Sequence, residues 1–295
     1  MKPIYKIMFF FSVGLTVAAI VLTAIFGLRF GADFRGGSVM ELVFNGQRPP
    51  VDELGKVVGA VGGVSNVSVS PEGDNGALIR LNDVGEQTHQ DILSAVSGKF
   101  GKITENRFDS IGPTVGNDLK TKSIKAIIIS LLAIVVYLAI VFRKLSSVLS
   151  PWALGLSAVA ALVHDVLVPI GLFALLGHYL NIEITSIFVA AVLTILGYSI
   201  SDSVVVFDRI RENVLRFGAR ENFGDTVHKS VMQTLIRSLN TTFTVLLSLI
   251  AIFFFGGESI KYFALALIVG VFSGAYSSIF IASPILAWWG RGRRG

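Results

Sequence analysis

Cysteine is absent from the 295 residues, which excludes disulfides, thiol nucleophiles and thiolate metal sites and leaves the compartment open. Charge is scarce as well: Asp, Glu, Lys and Arg make up 15% of the chain, against about 25% in an ordinary soluble protein. The chain holds no GxxxxGK[ST] phosphate loop, no HExxH and no set of histidines and carboxylates at metal-ligand spacing. ATP-driven or hydrolytic work therefore has no support in the motifs. The chain is read as a non-enzyme, with no cofactor, no metal and no nucleic-acid partner expected.

What fills the sequence is apolar: 53% of residues are hydrophobic and the mean hydropathy is +0.71. Runs free of charge occupy 7 to 28, 126 to 142, 145 to 164, 166 to 182, 184 to 201, 238 to 257 and 262 to 290. Crossing the hydrocarbon core takes about 20 residues of helix. Merging 145 to 176 across Asp165 and extending 184 to 206 across Asp202 yields six spans. The first has an apolar stretch far longer than the roughly 7 to 15 residues of a signal peptide's core, so a retained signal anchor is expected.

Lys and Arg set the orientation. With six spans both ends share a side, and that side carries Lys2, Lys6, Arg143, Lys144, six basic residues between 207 and 237, Arg291, Arg293 and Arg294. The opposite short loops, 177 to 183 and 258 to 261, offer only Lys261. Both termini are expected in the cytoplasm.

Between the first two spans the pattern alternates in type. SVMELVF (38 to 44) reads as a strand, 50 to 62 as a helix opened by Pro50, 64 to 70 as a strand, PEGDNG as a turn, and 77 to 82 as a strand. A helix over 86 to 100 and a strand over 103 to 112 complete a β-α-β-β-α-β order, the split βαβ or ferredoxin-like arrangement. The expected fold is thus a polytopic α-helical membrane protein of six transmembrane helices with one extracytoplasmic α+β ferredoxin-like domain. Its parts are a first helix (1–28), the outer domain (29–122) and a five-helix remainder (123–295) with a cytoplasmic connector (207–237). Within the connector DRIRENVLRF has helical amphipathic spacing, which suggests a helix along the inner membrane surface or else a solvated link. The glycine pairs Gly36-Gly37 and Gly256-Gly257 read as breakers at membrane borders.

The chemistry concentrates in ILGYSISDSVVVFDRIREN (195 to 213), where Asp202 interrupts an apolar run. An Asp at a helix centre costs about 2.5 to 3.5 kcal/mol by insertion scales, so it usually faces a bundle interior or a wet cavity and belongs to an ion or proton path. Ser199, Ser201 and Ser203 surround it and Tyr198 lies one turn back. The plainer reading is a carboxyl that assembles the bundle by hydrogen bonding. His164 and Asp165 interrupt the third span, as relay or as structural pair, and Pro169 and Gly171 beyond them either loosen the helix or pack closely. Arg237, followed by Thr241 and Thr242, opens the fifth span; it either snorkels to headgroups or forms a switchable ion pair with Asp202.

GADFRGGSVMEL (31 to 42), DSIGPTVGNDL (109 to 119), VHDVLVPIG, GYSISDSVVVFDRIREN and QTLIRSLNTT together resemble the SecF members of the SecD/SecF protein-export family, in the resistance-nodulation-division (RND) superfamily. The resemblance covers nearly the whole chain. It implies assistance to Sec-dependent export, with the proton gradient driving movements that pull or hold an emerging unfolded polypeptide. It also implies a SecD partner and association with the SecYEG channel. The family's proton-linked Asp matches Asp202 and its Arg matches Arg237, while Ser201 stands where the family has Asn. Two other readings stay open: a half-size RND exporter of lipids or small molecules, and a non-transporting translocon assembly factor.

Overall fold

The computed structural model describes residues 2–142, 151–217 and 222–291. Arg143, Lys144, Arg220, Arg293 and Arg294, and residues 145–150 of the expected third span, lie outside the described residues. The chain divides into two compact units, one drawn from Met1–Arg29, Lys125–Ile182 and Ile187–Gly295, the other from Phe30–Ile124 with Glu183–Ser186.

The first unit is helical. Its elements are α1 (Pro3–Phe26), α5 (Pro113–Val141, whose first turns belong to the other unit), α6 (Pro151–Leu180), α7 (Ser186–Phe217) and α8 (Phe223–Phe255). The last span is one run of α9 (Glu258–Ser277), a π-helical turn (Ser278–Ala282) and α10 (Ser283–Arg291). Among the described residues six helices are long and apolar enough to cross a membrane. The protein is a multi-pass membrane protein, as its hydropathy requires.

Lipid tails give helices no hydrophobic reason to associate, so close backbone approach at small residues does much of the packing. A Cβ on Gly171 would lie 2.5 Å from Ala19 Cα, which sets how closely α1 and α6 meet. Gly171 is therefore a packing residue, and α6 runs unbroken through Pro169. On α9, Gly270 and Gly274 form a GxxxG pair whose missing side chains leave room for Ile195 and Ser199, one turn apart on α7.

The expected connector helix is not a separate element. No Gly or Pro separates Tyr198 from Phe217, and the Arg209–Glu212 (2.7 Å) and Arg211–Asp208 (3.0 Å) pairs support the helix at i,i+3 spacing. DRIRENVLRF therefore continues α7 instead of starting afresh on the membrane surface. Likewise α8 starts at Phe223, well before the charge-free run at 238, because charged residues do not interrupt a helix; the side chain of Asn222 caps it by accepting from Gly224 N–H at 3.0 Å.

The second unit contains α2 (Ala32–Arg35), β1 (Gly37–Phe44), α3 (Val51–Gly59), β2 (Ser68–Glu72), β3 (Gly76–Leu81), α4 (Glu86–Phe100) and β4 (Ile103–Ile111). The strands form one antiparallel sheet in the order β2-β3-β1-β4, with the β-α-β-β-α-β succession of a ferredoxin-like fold. Met40, Leu42 and Phe44 alternate into its core, where Leu54, Val58, Ile92 and Val96 of the two helices meet them. Two expectations shift. The second strand begins at Ser68 rather than 64, because Gly63 (φ 82°) and Asn66 (φ 55°) hold turn conformations. Pro71 and Glu72, expected in the turn, belong to β2, an edge strand on which Pro is tolerated.

Gly36 and Gly37 do more than break a helix. Their φ values are 79° and 141°, and a Cβ would come within 2.7 Å of Pro113 Cα at the first and 2.7 Å of Leu81 O at the second. The pair makes the corner where α2 turns into β1 against the start of α5.

Candidate functional site

Asp165 is wholly buried on α6, and His164 beside it is 2% exposed. The Asp165 Oδ2 atom accepts hydrogen bonds from Ser199 Oγ on α7 and from Ser277 Oγ on α9, the latter at 2.7 Å. These two contacts follow from the packing: Ser199 can reach α6 because it sits directly over Gly274. Oδ1 has no hydrogen-bond partner. The nearest ring nitrogen, His164 Nδ1, is 3.5 Å away, and neither nitrogen of His164 finds a partner; its ring lies 6.2 Å from that of Tyr276.

Asp202, half-buried, lies one turn beyond Ser199 on α7, so the two share a face. Its carboxylate interacts with Ser238 of α8 and Ser278 of the π-helical turn, while Oδ2 and the Ser238 hydroxyl complete no hydrogen bond. Ser203 is buried and bonds Ser278 Oγ at 2.9 Å. Of the adjacent serines of the last span, Ser277 donates to Asp165 at 2.7 Å, while the Ser278 hydroxyl donates to Gly274 O at 3.0 Å and pairs with Ser203. A π-helical turn widens the helix by one residue and releases it from strict i,i+4 bonding; such turns concentrate at functional sites. Here the Ser283 hydroxyl donates to Ser278 O at 2.7 Å.

Of the other residues singled out by sequence, Tyr198 donates to Thr242 Oγ1 at 3.1 Å and stitches α7 to α8. Thr241 is exposed and donates to the backbone carbonyls of Arg237 (3.0 Å) and Ser238 (2.9 Å). Ser201 points out of the bundle and takes no part in the network. Arg237 is exposed too. It forms no ion pair with Asp202 within 4.0 Å, so the switchable pair suggested by sequence is not closed here, although its charge still acts on Asp202 through space. Arg237 instead lines a cavity of about 280 Å³ together with Asp208, Arg209, Glu212 and Gln233.

Sequence reasoning missed Ser238, Ser277 and Ser278. Ser277 and Ser278 lie in a span free of charge, where no carboxylate draws attention to them, yet Ser273, Ser277, Ser278 and Ser283 crowd that span as a visible group. A hydroxyl both donates and accepts, so Ser278 can take a hydrogen bond from Ser203 while donating its own to Gly274 O. Among the described residues no group of His, Cys, Asp and Glu is arranged to hold a metal.

A second surface feature accompanies the network. Gln233, Arg237, Asn240, Thr241, Thr244 and Ser248 form an exposed polar stripe along α8, and Thr194 and Ser201 are exposed on α7. Inside a membrane such groups face protein or water rather than lipid.

The family described as protein export membrane protein SecD/SecF, C-terminal, matches residues 91–292, and the SecD/SecF GG motif matches residues 21–47, the segment holding Gly36-Gly37. The chain is 40% identical to the protein translocase subunit SecF of Thermobaculum terrenum over 94% of its length and 90% of that protein. It is 38% identical to the protein translocase subunit SecF of Synechocystis sp., covering 90% of this chain and 84% of the relative. The crystal structure of SecDF, a translocon-associated membrane protein from Thermus thermophilus, overlays with a TM-score of 0.83 at 29% identity, covering 98% of this chain and 38% of that one. SecDF in a super-membrane-facing form overlays with a TM-score of 0.68 at 28% identity and the same coverage. The chain thus spans well under half of the SecDF chain.

Proposed function

The chain belongs to the SecD/SecF protein-export family, as a SecF-type protein translocase subunit, and we propose that it couples a proton gradient to late stages of polypeptide translocation. In this reading it sits in the bacterial inner membrane with both termini cytoplasmic and the sheet-bearing unit on the outer face. It works with a SecD chain beside the SecYEG channel, on unfolded polypeptide emerging there.

The observation that carries the proposal is the pair of intramembrane carboxylates, Asp165 held by Ser199 and Ser277 and Asp202 one turn beyond Ser199, each with an oxygen that completes no hydrogen bond. A purely structural polar cluster gains most when every group is satisfied. Asp202 is the proton-exchanging group, because it is half-buried while Asp165 is sealed; Asp165 positions Ser199 and Ser277 and serves as a second station. Arg237 waits outside the network, able to approach Asp202 in another state of the cycle. The polar stripe on α8 supports a protein partner, since a lipid-facing helix would gain nothing from Gln, Arg and Asn there.

The test is export of a secretory protein into inverted vesicles holding this chain with SecD, comparing the native chain with Asp202→Asn at equal membrane levels. Loss of the gradient-dependent component with the complex intact supports the proposal. Unchanged gradient dependence removes Asp202 as the proton site and favours a scaffold.

A further inference from the structure

The link from α6 to α7 ends in Glu183–Ser186, and these residues group with Phe30–Ile124, so that the first residue of α7 is part of the sheet-bearing unit. Backbone contacts hold it there. Gly31 N–H donates to Ile184 O at 2.9 Å, and Phe30 and the buried Ile184 form a parallel β-bridge. A Cβ on Gly31 would come within 3.2 Å of Thr185 Cγ2 and 3.3 Å of Glu183 Oε2, so the two segments meet at a residue with no side chain.

Side chains add fastenings of two kinds. Asp33 of α2 caps α7 from a distant part of the chain: its Oδ2 atom accepts from Ser186 N–H at 2.7 Å and also from the Ser186 hydroxyl. The first amides of a helix have no partner within it, and the helix dipole favours negative charge there, so a carboxylate suits this place. Arg80 of β3 pairs with Glu183, Nε to Oε2 at 3.0 Å, with both side chains 26% exposed. It also donates to Ser70 Oγ of β2 at 3.3 Å. Asp33 leads through the Gly36-Gly37 corner into β1, and β1 and β3 are the interior strands of the sheet. Both fastenings therefore reach its middle rather than an edge.

The link joins the two helices that carry Asp165 and Asp202. α6 meets it through Asn181, which lies outside the helix at φ 57°, whereas α7 begins inside it at Ser186, so α7 is the helix held directly. No proline interrupts α7, and at 1.5 Å per residue Asp202 stands about 24 Å from Ser186 along its axis. A continuous helix passes axial displacement along its length because each turn is bonded to the next. We propose that Glu183–Ser186 is a tie through which the sheet-bearing unit and the helix carrying Asp202 move as one, with Asp33 and Arg80 as its positioning residues. Asp33 acts on the end of the helix and Arg80 on the link just ahead of it. What the motion accomplishes rests on the proposed function; the tie itself rests on these contacts.

The experiment is amide hydrogen exchange of residues 186–190 in the full chain, with SecD, in lipid nanodiscs, alongside gradient-dependent export in inverted vesicles. Arg80→Glu and Glu183→Arg should each speed exchange at the start of α7 about tenfold and lower gradient-dependent export. The two together restore the pair with its charges exchanged and should bring both readouts back toward the native chain. A residue needed merely for folding would not be rescued in this way. Asp33→Ala should act as the single variants do, while Asp33→Asn, which keeps an accepting oxygen, should keep most of the native slow exchange. These variants carry the test should the charge-reversed chains fail to fold. Native exchange in Asp33→Ala, no rescue by the reversed pair, or faster exchange with export untouched overturns the proposal. Failure of the proposed function shows elsewhere, as unchanged gradient dependence in Asp202→Asn with native exchange at residues 186–190.

Discussion

Ser199 lies against Gly274 so closely that a Cβ on the glycine would come within 3.0 Å of Ser199 Cβ, and this contact aims the serine hydroxyl at Asp165. Gly274→Val should push α7 from α9 and break the bond to Asp165. Overpacking of this kind costs about 1 to 3 kcal/mol. The check is the unfolding temperature of the purified chain together with gradient-dependent export, both of which should fall.

Asp165 Oδ2 depends on two donors, Ser199 and Ser277. Ser199→Ala or Ser277→Ala should each destabilise the bundle by about 0.5 to 1.5 kcal/mol, the net worth of one hydrogen bond, since the other donor still serves the oxygen. Because both hydroxyls serve one oxygen, the double variant should depart from additivity. A double-mutant cycle on thermal stability measures it; strict additivity would mean the two bonds are independent.

Arg237 is exposed and forms no ion pair with Asp202, so its replacement should leave the fold intact. Arg237→Gln is expected to abolish gradient-dependent export at unchanged unfolding temperature, with Arg237→Lys keeping part of it because the charge remains. Export and stability are read on the same membranes. A large drop in stability would show that the arginine has a structural role.

Gly36→Ala should destabilise the chain by more than about 1 kcal/mol, since an L side chain at φ 79° is strained and its Cβ would meet Pro113. Gly14 on α1 has nothing within 4 Å of a Cβ position and makes the matched control. Gly14→Ala should leave yield and unfolding temperature unchanged.

Hydrogen bonding from Gln90, and then from His89, holds the exposed Glu86 carboxyl below the usual carboxylate range. A carboxyl lowered on folding contributes stability that is complete above its unfolded value and is lost as pH falls through the folded one. Protection of the first turn of α4 should therefore fall on the acid side, and Glu86→Gln should remove that fall. Hydrogen exchange of residues 86–90 across pH reads it.

Much of this was open to a reader of the chain. Hydropathy marks six spans because an apolar run long enough to cross a bilayer has few other uses, and the alternation at Met40, Leu42 and Phe44 marks a half-buried strand. The separate connector helix was misjudged because a change from apolar to charged residues at Phe207 alters the surroundings of a helix without ending it. The serines of the last span escaped notice for a related reason: a hydroxyl costs little in an apolar helix and so leaves no hydropathy signal, although four of them share that span.

The sequence by itself determined the number of spans, the order of strands and helices, and which carboxylates stand in apolar surroundings, because each is a property of a local run of residues. The tertiary structure decided which hydroxyl meets which carboxylate, that Arg237 stands apart from Asp202, and that Asp33 caps α7. Those depend on how far helices rotate and approach at Gly270 and Gly274, and on the close approach at Gly31. Such distances arise between elements distant in sequence, where no local periodicity carries information about them.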